Sequence, residues 1–327
     1  MFLVTGGAGF IGSNLVASLV EQGKSVVVSD WLGHGDKWRN LVKHELEDII
    51  KPEALPAFLA ENADKLEGVF HMGAISATTE TDGDALMENN FKLSKDLWHV
   101  CAKHNIPYIY ASSAATYGGG EHGFDDEEDI DHLTKLQPLN GYGWSKQLFD
   151  RWVARRIENK EPQPPQWAGL KFFNVYGPNE YHKGGQASVA FHLFNQVMSG
   201  EAAKLFQSHH PDYSDGGQLR DFIAVEDCVH VMMWLKDNPT VSGLFNVGTG
   251  QARSFVDLAR AVFASMNRNE NIKYVPTPEN IRDKYQYFTE ARMSKLKEAG
   301  YDHPFTSLEK GVQRYVTEFL AQEDSYK

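Results

Sequence analysis

The stretch FLVTGGAGFIGSNL (2–15) decides how the first half of this chain folds. A short strand-like run, FLVT (2–5), meets a cluster of glycines. Ile11, Leu15, Val16, Leu19 and Val20 then follow at helical spacing, with Gly23 as a plausible stop. The glycines read Gly7-x-Gly9-x-x-Gly12, overlapped by Gly6-x-x-Gly9-x-x-Gly12. Placed between a first strand and an amphipathic helix, that pattern has the context a dinucleotide-binding loop requires. Gly6 and Gly7 can take positive φ for the tight turn. Gly9 lets backbone approach a pyrophosphate, and Gly12 lets the helix lie close to the sheet. The helix amino end adds free N–H groups and a partial positive charge for the phosphates.

Outward from this loop, short apolar runs alternate with helical patterns. SVVVSD (25–30), GVFHMG (68–73) and PYIYASS (107–113) predict buried strands, with helices expected around 53–62 and from about 83 to 104. Such alternation implies an α/β fold: a Rossmann-type, doubly wound parallel sheet with helices on both faces. After LKFFNVYG (170–177) the alternation weakens. SHHPDYSDGGQLRDF (208–222) looks too polar and glycine-rich for core, while GLFNVGTG (243–250) predicts a last strand before a helix at 254–266. The expected division is therefore residues 1–174 plus about 218–250 for the NAD(P)-binding domain. Residues of about 175–217 and 251–327 form a smaller C-terminal α/β substrate lobe over the carboxyl ends of the strands.

Composition narrows the function classes. A chain of 327 residues can hold one large domain or two modest ones. With 44 acidic against 32 basic residues and a net charge of −12, it is a poor candidate for nucleic acid. No apolar run approaches bilayer length, and MFLVTGGAGF lacks the basic start and apolar stretch of a secretory signal. Two cysteines, Cys101 and Cys228, give no disulfide framework and suit a reducing cytoplasm. His209-His210 has no accompanying cysteine or carboxylate cluster, so no metal site is expected.

Three features carry chemistry. Asp30 ends the second strand, where a carboxylate accepts hydrogen bonds from the adenosine ribose and favours NAD. Lys37 and Arg39 follow it and could neutralise a 2′-phosphate, so the residues alone leave NAD against NADP open. Tyr142 and Lys146, in NGYGWSKQLFD, are spaced i and i+4 and share a helix face. An ammonium there would stabilise tyrosinate, so that the phenol can trade a proton with a substrate hydroxyl. Ser113 ends a strand and could hydrogen-bond the reacting oxygen. Taken singly these are weak signals; their order along the chain is the argument.

That order, carried by TGGAGFIG, Asp30, FHMGA, Asn90, ASSAATYG, YGWSK, FFNVYGP and RDFIAVED, resembles the extended short-chain dehydrogenase/reductases from end to end. The resemblance is to their nucleotide-sugar branch, the NAD-dependent epimerases and dehydratases. Sugar 4,6-dehydratases in that branch follow the serine or threonine position with an Asp-Glu pair; here Ala114 and Ala115 stand there. UDP-hexose 4-epimerases share the serine, tyrosine and lysine and remain the alternative. The closer likeness is to the group of ADP-L-glycero-D-manno-heptose 6-epimerases, on ASSAATYGG, NNFKLSK, FNVYGPNEYHKGGQASVAFHL, KLF and YQYFT.

The resemblance implies inversion at C6 of a nucleotide-linked heptose that supplies lipopolysaccharide inner core. A flat ketone must accept hydride on its opposite face, so a second acid/base is needed, and the likeness assigns it to Lys183. It further implies NADP, with NAD as the other candidate, held by Gly6, Gly9, Phe10, Ile11, Gly12, Asp30, Trp31, Lys37, Gly73, Ala74, Ile75, Asn90, Tyr142, Lys146 and Val175. The nucleotide sugar is expected on Ser113, Asn174, Lys183, Gly185, His192, Phe206, Arg220 and Tyr285. A homo-oligomer, a pentamer among the forms, is implied as well. One departure stands out: the loop Ser208 to Gln218 looks longer than the group's pattern.

Overall fold

Seven parallel strands make the central layer of the computed structural model, which describes residues 1–282 and 285–327. They are β1 (Phe2–Thr5), β2 (Val26–Ser29), β3 (Asp48–Ile50), β4 (Gly68–His71), β5 (Tyr108–Ser113), β6 (Trp167–Phe172) and, later in the chain, β10 (Gly243–Val247). Their spatial order is β10-β6-β5-β4-β1-β2-β3. Val26, Val27 and Val28 are wholly buried because helices cover both faces, which is why the run is continuously apolar rather than alternating. The order reverses at β1, which pairs with β2 through Phe2↔Val26 and with β4 through Phe2↔Gly68. A ligand crevice is expected at that switch point, beyond the strands' carboxyl ends.

Three elements differ from the sequence expectation. The edge strand β3 is short and largely exposed, with an Asp at its start, so it carries no apolar pattern to detect. The helix expected over 83–104 is interrupted by a π-helical turn at Met87–Lys92, which places the buried Asn90 against Ile75. The polar stretch ending near 222 hides a buried strand, β9 (Leu219–Ala224). Its Asp221 is buried because the Thr249, Gly250 and Ala291 N–H groups and the Thr249 hydroxyl all donate to it.

β9 does not join the central sheet. It pairs in parallel with β7 (Asn174–Tyr176) and antiparallel with β11 (Ala252–Ser254), while β8 (Ala203–Phe206) pairs with β12 (Ile272–Val275). Two apolar cores result. One lies around the seven-stranded sheet and takes in Ala291, Met293, Leu296 and Tyr301 from the last part of the chain. The other is built by helices Val189–Met198, Phe255–Ser265 and Leu308–Tyr315 with Phe222 and Ala224 of β9. Phe222 and Ala224 thus belong to the second core, and Ala291, Met293, Leu296 and Tyr301 to the first. Side-chain direction alternates along β9, and Ile223 faces the larger core. Among the described residues, no helix is long and apolar enough to cross a membrane.

Candidate active site

The glycine loop closes on the helix Phe10–Glu21, whose first helical bond runs from Ser13 N–H to Gly9 C=O at 3.0 Å. The Phe10, Ile11 and Gly12 N–H groups precede it and point out of the helix end. Gly6 has φ +65°, and a Cβ there would lie 2.5 Å from Gly73 Cα; at Gly12 it would lie 2.2 Å from Gly6 C=O. Only glycine lets the turn, the helix and the Gly73–Ile75 loop come this close. At the end of β2, Asp30 accepts from Ala8 N–H at 2.9 Å and pairs with Lys37 at 2.7 Å. Lys37 also donates to Trp31 C=O at 2.8 Å, while the half-exposed Trp31 indole donates to Glu53. The Asp30 carboxylate is therefore already paired with an ammonium.

Behind the Gly73–Ile75 loop lies a chain of hydrogen bonds. Ser94 donates to Asn90 C=O at 2.7 Å, so its oxygen accepts from His71 Nε2–H at 2.8 Å. His71 Nδ1 then accepts from the Thr5 hydroxyl at 2.6 Å, and Thr5 accepts from Gly73 N–H at 3.2 Å. Burial and the Lys146 cation hold His71 neutral, with its pKa lowered to about 3. Asn90 is fully engaged by the protein: its amide bonds both backbone groups of Ile75 and donates to Ser145 on the helix Gly141–Glu158. It braces the Gly73–Ile75 loop against that helix.

That helix is capped by Asn140, which accepts from Gly143 N–H at 2.8 Å. A Cβ at Gly143 would lie 2.6 Å from Ala115 C=O, so glycine lets the helix start against the end of β5. Ser113 accepts from Ala115 N–H at 3.1 Å and stands beside the Tyr142 phenol. The expected lowering of that phenol by Lys146 is not what the environment does. Burial raises its pKa, the neighbouring Ser113 hydroxyl lowers it in part, and Asp150 raises it further. Lys146 is buried, and burial brings it down to about 8 against an opposing pull from Asp150. Asp150 is a residue the sequence reading missed, although its spacing, i+8 from Tyr142, was visible.

Lys183 lies on a 3₁₀ segment, Tyr181–Gln186, and not on the following helix. Its ammonium stands 5.4 Å from the centre of the Phe10 ring, at the mouth of the glycine loop. Burial lowers its pKa, and Glu180 pulls it back up. The Lys37 and Lys183 cations both act on His182, which burial and these charges lower to about 4 and whose Nδ1 lies 3.3 Å from Asn40 Nδ2. The segment is pinned to the helix behind the glycine loop: Asn14 donates to Pro178 C=O at 2.9 Å and Asn179 to Ser13 at 3.1 Å. Gly184 has φ +54°, which favours glycine, and the space around both Gly184 and Gly185 is open.

On the smaller lobe, Phe206 and Tyr285 meet edge to face at 6.1 Å, and the Arg220 guanidinium lies 5.5 Å from the Tyr285 ring centre. Arg220 is buried and donates to Leu219 and Gln286 C=O, which fastens the strand to the Tyr285 loop. The long loop folds onto this group: Ser208 N–H donates to Asp215 and His209 N–H to the Tyr287 hydroxyl. Asn174, at the exposed start of β7, shares a 3.5 Å contact with Thr289. Val175 and His192 are half-buried, on β7 and the helix Val189–Met198.

Residues 2–248 match the model of the NAD dependent epimerase/dehydratase family. Over its full length the chain is 50% identical to the ADP-L-glycero-D-manno-heptose-6-epimerase of Fusobacterium nucleatum, all of which is covered. The crystal structure of the Helicobacter pylori enzyme of that name is similar at 28% identity and a TM-score of 0.77, over 97% of this chain and 95% of that one. MoeE5 in complex with UDP-glucose and NAD is similar at 26% identity and a TM-score of 0.74, over 96% and 97%.

Proposed function

The chain belongs to the NAD dependent epimerase/dehydratase family, and from that premise we propose that it inverts C6 of ADP-D-glycero-β-D-manno-heptose, giving the L-glycero epimer. The observation that carries this reading is full-length identity of 50% to an enzyme of that name, running through the segment that holds Lys183. UDP-hexose 4-epimerases resemble the chain at lower identity. The product is the sugar donor that lipopolysaccharide inner-core assembly uses.

The cradle fits a nicotinamide dinucleotide: the glycine turn leaves no room for a Cβ, and three helix N–H groups face the phosphate position. A bound nicotinamide would supply the hydride acceptor and donor that inversion at C6 needs. Phe10, Ile11 and Gly12 would hold the pyrophosphate and Lys146 the nicotinamide ribose. The Lys37 ammonium beside Asp30 supports NADP, since a lone carboxylate there would repel a 2′-phosphate. Mass spectrometry of the cofactor released from purified protein tests this: NADP is expected, and NAD alone would overturn it.

Tyr142, beside Ser113 and one helical turn from Lys146, exchanges the proton of the C6 hydroxyl on one side of the ketone. After inversion the oxygen lies on the other side, out of reach of the same phenol. Lys183 arises from a different wall, over Phe10, and serves there. Lys183→Met is expected to lower epimerisation by about 10²-fold or more while bound cofactor is retained. The measurement is NMR of the two C6 epimers after incubation with the D-glycero substrate and no added cofactor. Failure of the unaltered protein to equilibrate them sinks the whole reading; near-normal Lys183→Met sinks the role of the lysine. We read the enzyme as a cytoplasmic homo-oligomer, a state that light scattering in solution checks.

A further inference from the structure

Tyr142, Lys146 and Asp150 are spaced i, i+4 and i+8 on the helix Gly141–Glu158, so all three project from one face at successive turns. The first two belong to the proton-transfer set. Asp150 is the third, and it is completely buried with Lys171. Lys171 donates to Asp150 Oδ2 at 2.8 Å, Ser112 donates to the same oxygen at 2.7 Å, and the Tyr110 hydroxyl donates to Oδ1 at 3.1 Å. Lys171 also donates to Thr116 at 2.9 Å and lies 5.0 Å from the Tyr117 ring centre. Ser112 and Lys171 are register partners across β5 and β6, one residue before Ser113. One carboxylate thus ties the catalytic helix to both strands directly behind the serine.

We propose that Asp150 is a positioning residue that keeps Lys146 charged and its helix seated against Ser113. A buried ion pair costs desolvation and is weak evidence for stability alone, so its place one turn below Lys146 calls for a second reason. Electrostatics supplies it. Lys146 is buried, which favours the neutral amine, and the Asp150 carboxylate opposes that. The other groups packed about the pair are neutral His71 from β4, Tyr110 from β5, Tyr117 and Tyr142, the Lys171 cation from β6, and the more distant carboxylates Asp126 and Glu128. His71 carries no compensating charge, and Lys171 is directed to Asp150, Thr116 and the Tyr117 ring.

The inference rests on Tyr142 and Lys146 being the proton-transfer pair, and the test separates the two. Full-length holoenzyme would be prepared as Asp150→Asn and as Asp150→Asn with Lys171→Met; the double variant removes the cation that the single one leaves unpaired. The readouts are the pH dependence of kcat for epimerisation and the titration of Lys146, followed by NMR in ¹³C-lysine-labelled protein. Both the alkaline limb and the Lys146 midpoint should move down by about one pH unit, about a tenfold loss of rate above the limb. A folded variant with limb and midpoint unmoved overturns the proposal, since a merely structural pair would change only stability. Failure of both variants to fold overturns it as well, in favour of a purely structural pair. Retained activity in Lys146→Met would instead refute the underlying assignment of the pair.

Discussion

A second proton on His71 has no acceptor to meet. Its Nε2–H already donates to Ser94, and its Nδ1 already accepts from Thr5, which in turn holds the N–H of Gly73. Protonation would break the Thr5 link in the wall against which Gly6 packs. Because the folded-state pKa is depressed to about 3, the unfolded chain takes up a proton near 6.5 while the folded one does not. This contribution to stability is complete above pH 6.5 and is lost as pH falls from there toward 3. The expected slope is on the order of 1 kcal/mol per pH unit, with His182, lowered to about 4, adding to it. Urea unfolding at pH 7, 6 and 5 measures it, and His71→Gln should flatten the curve. A stability independent of pH in the parent protein would refute this account.

At the scale of elements, the 177–188 segment depends on the wholly buried Glu180. Its carboxylate receives Ser188 N–H, the Ser188 hydroxyl at 2.7 Å and the Tyr315 hydroxyl at 2.9 Å, while its own C=O accepts from Lys183 N–H at 3.0 Å. Ser188 meanwhile caps the helix Val189–Met198 by accepting from Phe191 N–H. One acid therefore sets where the 3₁₀ turn with Lys183 ends and the helix begins. Glu180→Ala would leave several buried donors unmet and should cost about 1–3 kcal/mol for each. Epimerisation should fall with it, while Glu180→Gln, which keeps an acceptor oxygen, should lose less of both. Equal losses in the two variants, by thermal unfolding and rate, would argue against this hinge.

Across the whole molecule, the end of the described chain returns to the Lys37–Asn40 turn. The Tyr326 ring lies 4.4 Å from the Arg39 guanidinium and packs edge-on against Tyr181 at 5.2 Å; Ser325 C=O accepts from the Tyr181 hydroxyl, and Lys327 N–H donates to Asn179. This strap joins the Lys37–Asn40 turn to the Lys183 segment, so Tyr326→Ala should weaken dinucleotide binding and slow epimerisation several-fold. Calorimetric titration and the NMR rate assay would check it, and unchanged values would dismiss the strap. None of this was legible in the sequence, for a physical reason. Local patterns revealed what local forces set: the glycine turn, the alternation of buried strands and helices, and the tyrosine and lysine one turn apart. Edge strand β3 and strand β9 escaped because one is exposed and the other buries Arg220 and Asp221, whose partners lie in distant loops. The amino-acid order by itself determined the dinucleotide fold and the family. Only the tertiary structure decided that Lys183 stands over Phe10, that Lys37 already neutralises Asp30, and that Asp150 is locked to Lys171. Those contacts depend on how distant segments pack, and they exist only once packing has excluded water from them.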